Sequence, residues 1–329
     1  MNTSEITSRS LAWTLFSAGI FITAKTILDE ITKYRLKDKV VLITGGSRGL
    51  GLEMARVLAS KGARLVLCAR SADQLRRAKT ELRALGADVI TFTADIREQS
   101  QVQRLIDSII HHHKRIDVLI NNAGIVQVGP AESMSIKDYE NAMQTNFWPA
   151  VYLTYACLPY FKRKREGRIV NISSIGGKIA VPHLLPYTAS KFALTGFSEG
   201  MHAELKKYNI KVTTIIPHLM RTGSPRNITV KGDHENEYAW FKIADSSPLM
   251  SQEAAAAAKE IIHALEHGEA EKTLTFTGNL ASKMQGVAPS LMSSVMGIVN
   301  ELLPDNTSKE AKAGHQSESK KSTGKISAL

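Results

Sequence analysis

A glycine-rich turn between a strand pattern and a helix pattern constrains this chain more than any other feature. Residues 44–51 read Thr-Gly-Gly-Ser-Arg-Gly-Leu-Gly. The apolar run at residues 40–43 precedes the turn, and residues 52–59 follow it with helical spacing. Glycines let the chain turn sharply and let backbone N–H groups approach a pyrophosphate at the positive end of the helix. Because strand and helix flank the turn, it predicts a dinucleotide-binding βαβ unit rather than a plain structural turn.

Strand and helix patterns alternate over the following 230 or so residues, which predicts a doubly wound α/β fold with a parallel sheet. The strand candidates are short apolar runs, as expected when helices cover both faces of the sheet. They lie at residues 40–44, 64–69, 88–93, 118–121, 168–173, 211–216 and 272–276. The helix candidates lie at about residues 49–61, 72–86, 98–114, 136–164, 187–208 and 251–266. The pattern indicates one Rossmann-type domain with right-handed crossovers.

The predicted domain covers residues 37–278 and has segments of different character within and after it. Residues 218–249 interrupt the alternation with a polar, aromatic-containing insertion placed to cover a ligand. Residues 279–304 are rich in Met, Ser and Gly, and form a helical extension by their spacing. That extension fits a packed helix, a substrate-entry flap or a membrane-surface element. Residues 305–329 are dominated by Lys, Ser, Glu and Gly, which predicts a disordered tail.

The N-terminal segment, residues 1–36, contains an apolar run that predicts a membrane anchor. Residues 11–24 carry no charge, and as a helix they would reach only about 21 Å of a hydrocarbon core of about 30 Å. Extending the run over residues 11–28, with Lys25 snorkelling, gives a marginal span or an interfacial helix. A signal peptide fits poorly because its cleavage site would be weak, and the run is too uniformly apolar for an amphipathic core helix. Basic residues predominate after the run, which places the following domain on the cytoplasmic side of the membrane.

The net charge of +11 fits phosphorylated ligands or anionic lipid surfaces. Nucleic acid is disfavoured, because the basic residues are dispersed and no nucleic-acid motif occurs. Cys68 and Cys157 lie in apolar contexts and are expected to be reduced core residues. The run His111–His113 is expected to be a solvated helix end, and no Cys/His cluster has metal-ligand spacing, so we predict no metal site.

Two arginines favour NADP(H) over NAD as the dinucleotide. An acidic residue about twenty positions beyond the glycine turn would accept hydrogen bonds from the ribose hydroxyls of NAD. This chain has Arg70 there, and Arg48 lies within the turn itself. Guanidinium groups suit a 2′-phosphate better than a hydroxyl. The alternative is that both are ordinary surface arginines.

A second motif, Tyr187-Thr-Ala-Ser-Lys191, places a phenol and an ammonium four residues apart. Positions four apart share one helix face, so the two groups can act at one site. A free phenol has a pKa of about 10, and a nearby ammonium lowers that pKa by stabilising the phenolate. Taken alone, such a pair is usually a solvated helix face.

Together the two motifs, about 140 residues apart, resemble those of the short-chain dehydrogenase/reductase family over about residues 37–276. Ser174 stands thirteen residues before Tyr187, which is the family's spacing. Further matches occur in the family's order at Asp95, Asn121–Gly124, Asn146 and Asn171–Ser174.

The resemblance implies a catalytic set of Asn146, Ser174, Tyr187 and Lys191. Tyr187 would give a proton to the substrate oxygen in carbonyl reduction, or remove it in alcohol oxidation. Lys191 would lower the pKa of the tyrosine and bind the nicotinamide ribose, and Ser174 would hydrogen-bond the substrate oxygen. Asn146 would hold a water that links Lys191 to solvent. The cofactor-binding set, from the glycine turn and the resemblance, is Gly45, Ser47, Arg48, Gly49, Leu50, Gly51, Arg70, Asp95, Ile96, Asn122, Ala123, Gly124, Tyr187, Lys191, Pro217 and Thr222.

One position departs from the family pattern. After the sixth strand the family has Pro-Gly and then a Thr, whereas this chain has Pro217, His218 and Thr222. A glycine permits close approach to the nicotinamide, and His218 demands room. The side chain of His218 either points outward or brings a polar group into the pocket.

The function implied is an NADP(H)-dependent oxidoreductase acting on a carbonyl or alcohol. Membrane-attached family members that act on hydroxysteroids, sphingoid ketones or retinoids are similar in layout, so a lipophilic substrate is expected. Its predicted contacts are the insertion together with Ile175, Gly176, His183, Leu184 and Leu185. The alternative is a catalytically silent NADP(H)-binding regulatory or scaffold protein of the same fold. By resemblance the chain forms a homodimer or homotetramer.

Overall fold

Seven parallel strands form the central sheet of the protein in a computed structural model that describes residues 33–221, 224–246 and 251–319. The chain divides into two units, Met1–Arg35 and Leu36–Leu329, and the sheet belongs to the second. The predicted membrane anchor at residues 11–28 lies outside the described residues. Within the described ranges no helix is both long enough and apolar enough to cross a membrane.

The sheet has the order β7-β6-β5-β4-β1-β2-β3, which confirms the predicted doubly wound fold. Its strands are apolar runs because helices cover both faces of the sheet, and every residue of β1 is buried. The order reverses between β1 and β4, where a crevice opens at the carboxyl ends of the strands. The strands are β1 (Val40–Thr44), β2 (Arg64–Ala69), β3 (Val89–Thr93), β4 (Val118–Asn121), β5 (Gly167–Ile172), β6 (Ile210–Ile216) and β7 (Glu271–Thr273).

Ten α-helices lie within the described residues of the second unit. They are α1 (Gly49–Ser60), α2 (Ala72–Ala84), α3 (Gln99–His113), α4 (Ile136–Asn146), α5 (Trp148–Lys164), α6 (Leu185–Leu205), α7 (His234–Ser246), α8 (Ala254–His267), α9 (Phe276–Val287) and α10 (Pro289–Glu301). Helix α1 packs against α8, and α3 packs against α5. Helix α4 packs against α6, which carries Tyr187 and Lys191. Cys68 and Cys157 are buried and unpaired, as predicted.

Three predicted elements differ from those observed, and the first is the helix predicted over residues 251–266, whose residues Ser251–Glu253 form a strand instead. The helix predicted over residues 136–164 is divided at Phe147, because Pro149 lacks an N–H group and its ring disfavours a continuous helix there. The strand predicted over residues 272–276 ends at Thr273. Thr275 instead caps α9, since its side chain accepts a hydrogen bond from the Gly278 N–H at 3.1 Å.

The insertion after β6 forms short strands and a helix over the carboxyl edge of the sheet. Strand Leu219–Arg221 pairs with Ser251–Glu253, and Thr229–Val230 pairs with Gln127–Val128. Helix α7 completes the insertion. The insertion therefore covers the edge at which the strands of the central sheet end.

The predicted disorder of residues 305–329 is wrong for residues 305–319. Lys312–Ala313 pairs antiparallel with Thr229–Val230, and the Gly314 N–H donates to the Ile228 carbonyl at 2.9 Å. A Cβ on Gly314 would lie 2.0 Å from the Pro225 carbonyl oxygen, so this contact requires glycine. The polar composition was misleading because an unpaired strand edge in the insertion supplies backbone partners.

Candidate active site

A cavity of about 790 Å³ opens at the carboxyl ends of β1, β2, β4 and β5. Fifteen of the sixteen predicted cofactor residues line it, and Thr222 lies outside the described residues. The predicted catalytic residues Ser174, Tyr187 and Lys191 line the same cavity. The structure therefore brings the two sequence motifs to one cleft, at the point where the strand order reverses.

The glycine turn fits a group that approaches the backbone closely. Gly45 has a φ of +64°, which favours glycine. A Cβ on Gly51 would lie 2.3 Å from the Gly45 carbonyl oxygen, so no larger residue fits. The Asn122 side chain fixes the turn by donating to the Thr44 carbonyl at 2.9 Å. The first turn of α1 has no acidic residue and no side-chain cap, so its N–H groups are suited to an anion such as a pyrophosphate.

A third arginine, Arg97, lies at the β2–β3 end of the cavity and was missed by the sequence reasoning. The Arg97 guanidinium donates to both carboxylate oxygens of Asp95, at 3.0 Å from Nε. These hydrogen bonds, followed by the charge of Arg70, hold the pKa of Asp95 below its usual value despite its burial. Arg48, Arg70 and Arg97 all line the cavity. The signal in the sequence was weak, because an arginine two residues after an aspartate on a loop is usually a surface pair.

Lys191 is buried at the floor of the cavity, where its Nζ donates to the Ile172 carbonyl at 2.8 Å. Burial lowers its pKa to about 8. Hydrogen bonds between buried side chains fix the position of the strand ends around Lys191. Asn121 donates to Asn171 at 2.8 Å, and Asn171 donates to Ser198 on α6 at 2.9 Å. These buried amides fix α6 against the ends of β4 and β5.

The pKa of Tyr187 moves in the direction opposite to that expected from the sequence. Burial raises the pKa above its ordinary value of 10, and a hydrogen bond from Ser174 only partly offsets the rise. Ser174 Oγ accepts from the Gly176 N–H at 3.1 Å, so the Ser174 hydroxyl can still donate its own proton. The Lys191 Nζ lies 5.7 Å from the centre of the tyrosine ring and bonds to Ile172 instead. The phenol is therefore protonated at neutral pH.

Asn146 lies behind the cavity wall rather than in it. Its Oδ1 accepts from the Ile125 N–H at 2.8 Å, and its Nδ2 donates to Ser190 Oγ at 2.9 Å. Ser190 in turn donates to the Tyr187 carbonyl at 2.6 Å. A Cβ on Gly124 would lie 3.0 Å from Asn146 Oδ1 and 3.7 Å from Lys191 Nζ. Asn146 thus ties the end of α4 to the first turns of α6 and lies close to the lysine.

Known proteins with the same motifs identify the family. The sequence profile described as short chain dehydrogenase matches residues 39–231, which is more than half of the chain. The chain is a short-chain dehydrogenase/reductase. It is 33% identical over 304 residues to Dehydrogenase/reductase SDR family member 7B of Bos taurus, with 90% of both chains covered. It is 33% identical over 282 residues to Fatty acyl-CoA reductase of Acinetobacter baylyi, with 85% of this chain and 90% of that protein covered.

Solved structures of the family share the fold. A variant of actinorhodin polyketide ketoreductase, solved with NADPH, is 28% identical and superposes with a TM-score of 0.66. That match covers 72% of this chain and 96% of the ketoreductase. As a short-chain dehydrogenase/reductase, the protein is an oxidoreductase of a family that transfers hydride with nicotinamide cofactors and acts on small molecules.

In this short-chain dehydrogenase/reductase, a buried polar network joins the insertion to the segment before Tyr187. His183 Nδ1 lies 2.7 Å from Glu237 Oε1, and Trp240 Nε1 donates to Glu237 Oε2 at 2.7 Å. His183 and Glu237 are both buried. His183 therefore supports the wall that Trp240 lines and, contrary to the prediction, does not line the cavity itself. Leu185, also predicted to contact substrate, is exposed outside the cavity.

The far end of the cavity in this short-chain dehydrogenase/reductase is apolar. The predicted contacts Ile175, Gly176 and Leu184 line it, and His218 lines it as well rather than pointing outward. The sequence left the role of residues 279–304 open between three alternatives, and in the structure residues of α9 and α10 complete the wall. The apolar residues that line this end include Val126, Ile179, Val181, Leu219, Met220, Ile228, Trp240, Phe241, Met292, Met296, Val299 and Leu303.

Proposed function

We propose that this short-chain dehydrogenase/reductase uses NADP(H) to interconvert a lipophilic carbonyl compound and its alcohol, with Tyr187 as the acid or base. One observation carries the proposal. Tyr187 and Ser174 lie together on the wall of a cleft between a glycine turn fit for a dinucleotide and a large apolar chamber, which is the apolar end of the cavity. The cleft can therefore bring a nicotinamide and an apolar carbonyl compound together at a phenol.

The choice of NADP(H) rests on the arginines. Arg48 and Arg70 line the cavity, in the glycine turn and after β2, and no carboxylate occupies position 70. Among the described residues that line the cavity, the carboxylate belongs to Asp95, and Arg97 neutralises it. Charge-assisted hydrogen bonds from guanidinium groups favour a phosphate over a hydroxyl. The actinorhodin ketoreductase, solved with NADPH, supports the same choice.

The cofactor, when bound, supplies or accepts the hydride at the substrate carbon. In the reducing direction Tyr187 donates its phenol proton to the oxygen that becomes the alcohol. Its raised pKa suits this role, because the proton is present at neutral pH. Ser174 hydrogen-bonds the same oxygen and stabilises the charge that develops on it. Lys191 offers its ammonium to the nicotinamide ribose, and Asn146 positions α6 through Ser190.

The substrate class rests on the apolar chamber. Its lining is mostly aliphatic and aromatic, so binding would draw on the burial of apolar surface. A relative named fatty acyl-CoA reductase supports a substrate with a long apolar part. The alternative, a catalytically silent NADP(H)-binding scaffold, would not need the buried arrangement of Ser174, Tyr187 and Lys191.

The decisive experiment is a substrate screen that follows NADPH oxidation by absorbance. Ketones and aldehydes of increasing chain length and ring number are offered to the full-length protein. Turnover of apolar carbonyl compounds, with KM falling as apolar surface grows, is expected. Tight NADPH binding without turnover across carbonyl and alcohol panels would favour the scaffold alternative.

The pH dependence of kcat/KM for carbonyl reduction should show the loss of the proton of Lys191. Below pH 7 the ammonium is protonated and kcat/KM is expected to be flat. Above a pKa of about 8, loss of the Lys191 proton should lower kcat/KM by about tenfold per pH unit, while Tyr187 is still protonated. Lys191→Arg, whose side chain keeps its charge, should move this limb above pH 10 in a variant shown to be folded by its thermal melt. If the fall in kcat/KM began at the same pH in that variant, the group that loses its proton would not be Lys191.

The membrane anchor at residues 11–28 is a separate part of the proposal. It would hold the domain at the cytoplasmic side of a membrane, near a lipophilic substrate. After cell fractionation without detergent, the full-length protein is expected in the membrane pellet, and an alkaline wash should not release it. Recovery in the supernatant would contradict the anchor. The predicted homodimer or homotetramer stays a prediction that light scattering can test.

A further inference from the structure

The C-terminal helix pair, α9 and α10, exposes two rows of apolar side chains. Their exposed fractions run from 40% for Val295 to 87% for Val287. At about 100° per residue, each row lies within an arc of about 80° of its helix. Large apolar side chains gathered in this way mark an interaction surface, unlike scattered ones. The rows are Phe276, Leu280, Met284 and Val287 on α9, and Leu291, Val295 and Ile298 on α10 together with Leu302 at its C-terminal cap.

The helix pair is attached to the domain by few buried residues. Gly278 is the buried residue of α9, and Met292 is that of α10. Lys283 and Glu301 are the only charged side chains in the two helices. The outward rows are therefore exposed apolar surfaces with almost no charged groups beside them to favour their contact with water.

A second apolar row on α10 faces the cavity. Met292, Met296 and Val299 line the apolar chamber. This row is turned by only about 100° from the exposed row of the same helix. The chamber wall and the exposed face are therefore neighbours on one helix, and the face adjoins the apolar end of the cavity.

We propose that the outward face of the helix pair, defined by the two exposed rows, binds the surface of a lipid bilayer that contains anionic lipids. Immersion of the rows would remove eight large apolar side chains from water. The net charge of +11 favours an anionic surface. The uncharged run at residues 11–24 independently predicts a membrane partner for this chain.

A bilayer fits this face better than a second copy of the chain. A folded partner seated on the exposed rows would also cover the adjoining end of the chamber, since the two rows of α10 are neighbours. A fluid bilayer would cover the rows and still let a lipophilic molecule pass. Delivery of substrate by this route rests on the proposed function, whereas binding of the bilayer does not.

A fluorescent probe on the exposed row of α10 tests the inference in the full-length protein. Val295→Cys provides the site, because the native thiols of Cys68 and Cys157 are buried and burial raises the pKa of Cys68 to about 12. The labelled protein is reconstituted with vesicles of phosphatidylcholine and phosphatidylserine. A blue shift and protection from an aqueous quencher are expected. A probe at the exposed Thr80→Cys on α2 should stay accessible to the quencher.

The other results of this experiment overturn the inference. A probe at residue 295 that stays quenchable on vesicles would show that the face remains in water, whatever the N-terminal segment does. A blue shift without vesicles that grows with protein concentration would assign the face to a second copy. A blue shift without vesicles that is independent of concentration would assign it to another segment of the same chain.

Charge substitutions in the labelled protein provide the matched comparison. Val287→Asp and Leu302→Asp change residues that are 87% and 82% exposed and outside the cavity lining, so the fold should persist. Each is expected to weaken vesicle binding by this face roughly tenfold. Leu85→Asp, at an exposed leucine that ends α2, should have no effect. Unchanged probe protection in both face variants would contradict the inference.

An activity assay separates this inference from the proposed function. Turnover of a short, water-soluble carbonyl compound should be equal in the Val287→Asp and Leu302→Asp variants and in the unmodified protein. If no carbonyl compound is turned over but the face variants still lose vesicle binding, the proposed function fails and the membrane face stands. If turnover occurs and the probe stays in water, the membrane face fails and the proposed function stands.

Discussion

Tyr187→Phe is expected to lower kcat for carbonyl reduction by about 10³-fold, or about 4 kcal/mol of transition-state stabilisation. The change removes the proton that Tyr187 would donate and keeps the ring that packs in the apolar cluster of the insertion. The affinity for NADPH should stay within about threefold, because the glycine turn and the arginines are untouched. Steady-state kinetics and titration of NADPH fluorescence measure the two quantities.

A matched control for this substitution is available on α5. Tyr155 is 61% exposed and outside the cavity, so Tyr155→Phe should leave kcat unchanged. Ser174→Ala should give a smaller loss of kcat, because Tyr187 keeps its proton and only the hydrogen bond that Ser174 would donate to the substrate oxygen is lost. If Tyr187→Phe kept more than a tenth of the original kcat, another group would have to supply the proton.

Local patterns in the sequence predicted the fold and most of the cofactor cleft. The strand, glycine turn and helix around residues 40–60 are encoded in consecutive residues, and the structure reproduces them within a residue. The glycines of the turn are required by contacts within the same unit, such as that between Gly51 and the Gly45 carbonyl. Because such contacts join residues within the motif itself, the sequence alone is enough to predict them.

The features that the sequence did not predict depend on partners distant in the chain. His183 and Glu237 are 54 residues apart, and each alone resembles a surface residue. The tail from residue 305 onward is mostly polar, and residues 312–313 are ordered by pairing with the strand edge at residues 229–230. The direction of the pKa of Tyr187 likewise depends on burial, which its spacing from Lys191 does not encode.

The arginines that line the cavity lead to the second large prediction. Arg70→Ala is expected to raise the Kd for NADPH by about 10- to 100-fold, since a hydrogen bond between charged groups contributes about 1.5–3 kcal/mol. The Kd for NADH, which lacks the 2′-phosphate, should change by less than about threefold. Arg77→Ala removes an exposed arginine of α2 that does not line the cavity, and should affect neither cofactor.

Arg97→Ala should separate the roles of the three arginines. It would remove the principal partner of the Asp95 carboxylate, and Arg70, whose charge already lowers the pKa of Asp95, would become its nearest counter-charge. Arg70 would then be drawn from the phosphate to the carboxylate, and NADPH affinity should fall although the phosphate-binding arginines remain. Adding Asp95→Asn should restore much of that affinity, because the competing charge is gone. Equal losses for NADPH and NADH in Arg70→Ala, or a preference for NADH in the unmodified protein, would contradict the assignment of NADP(H).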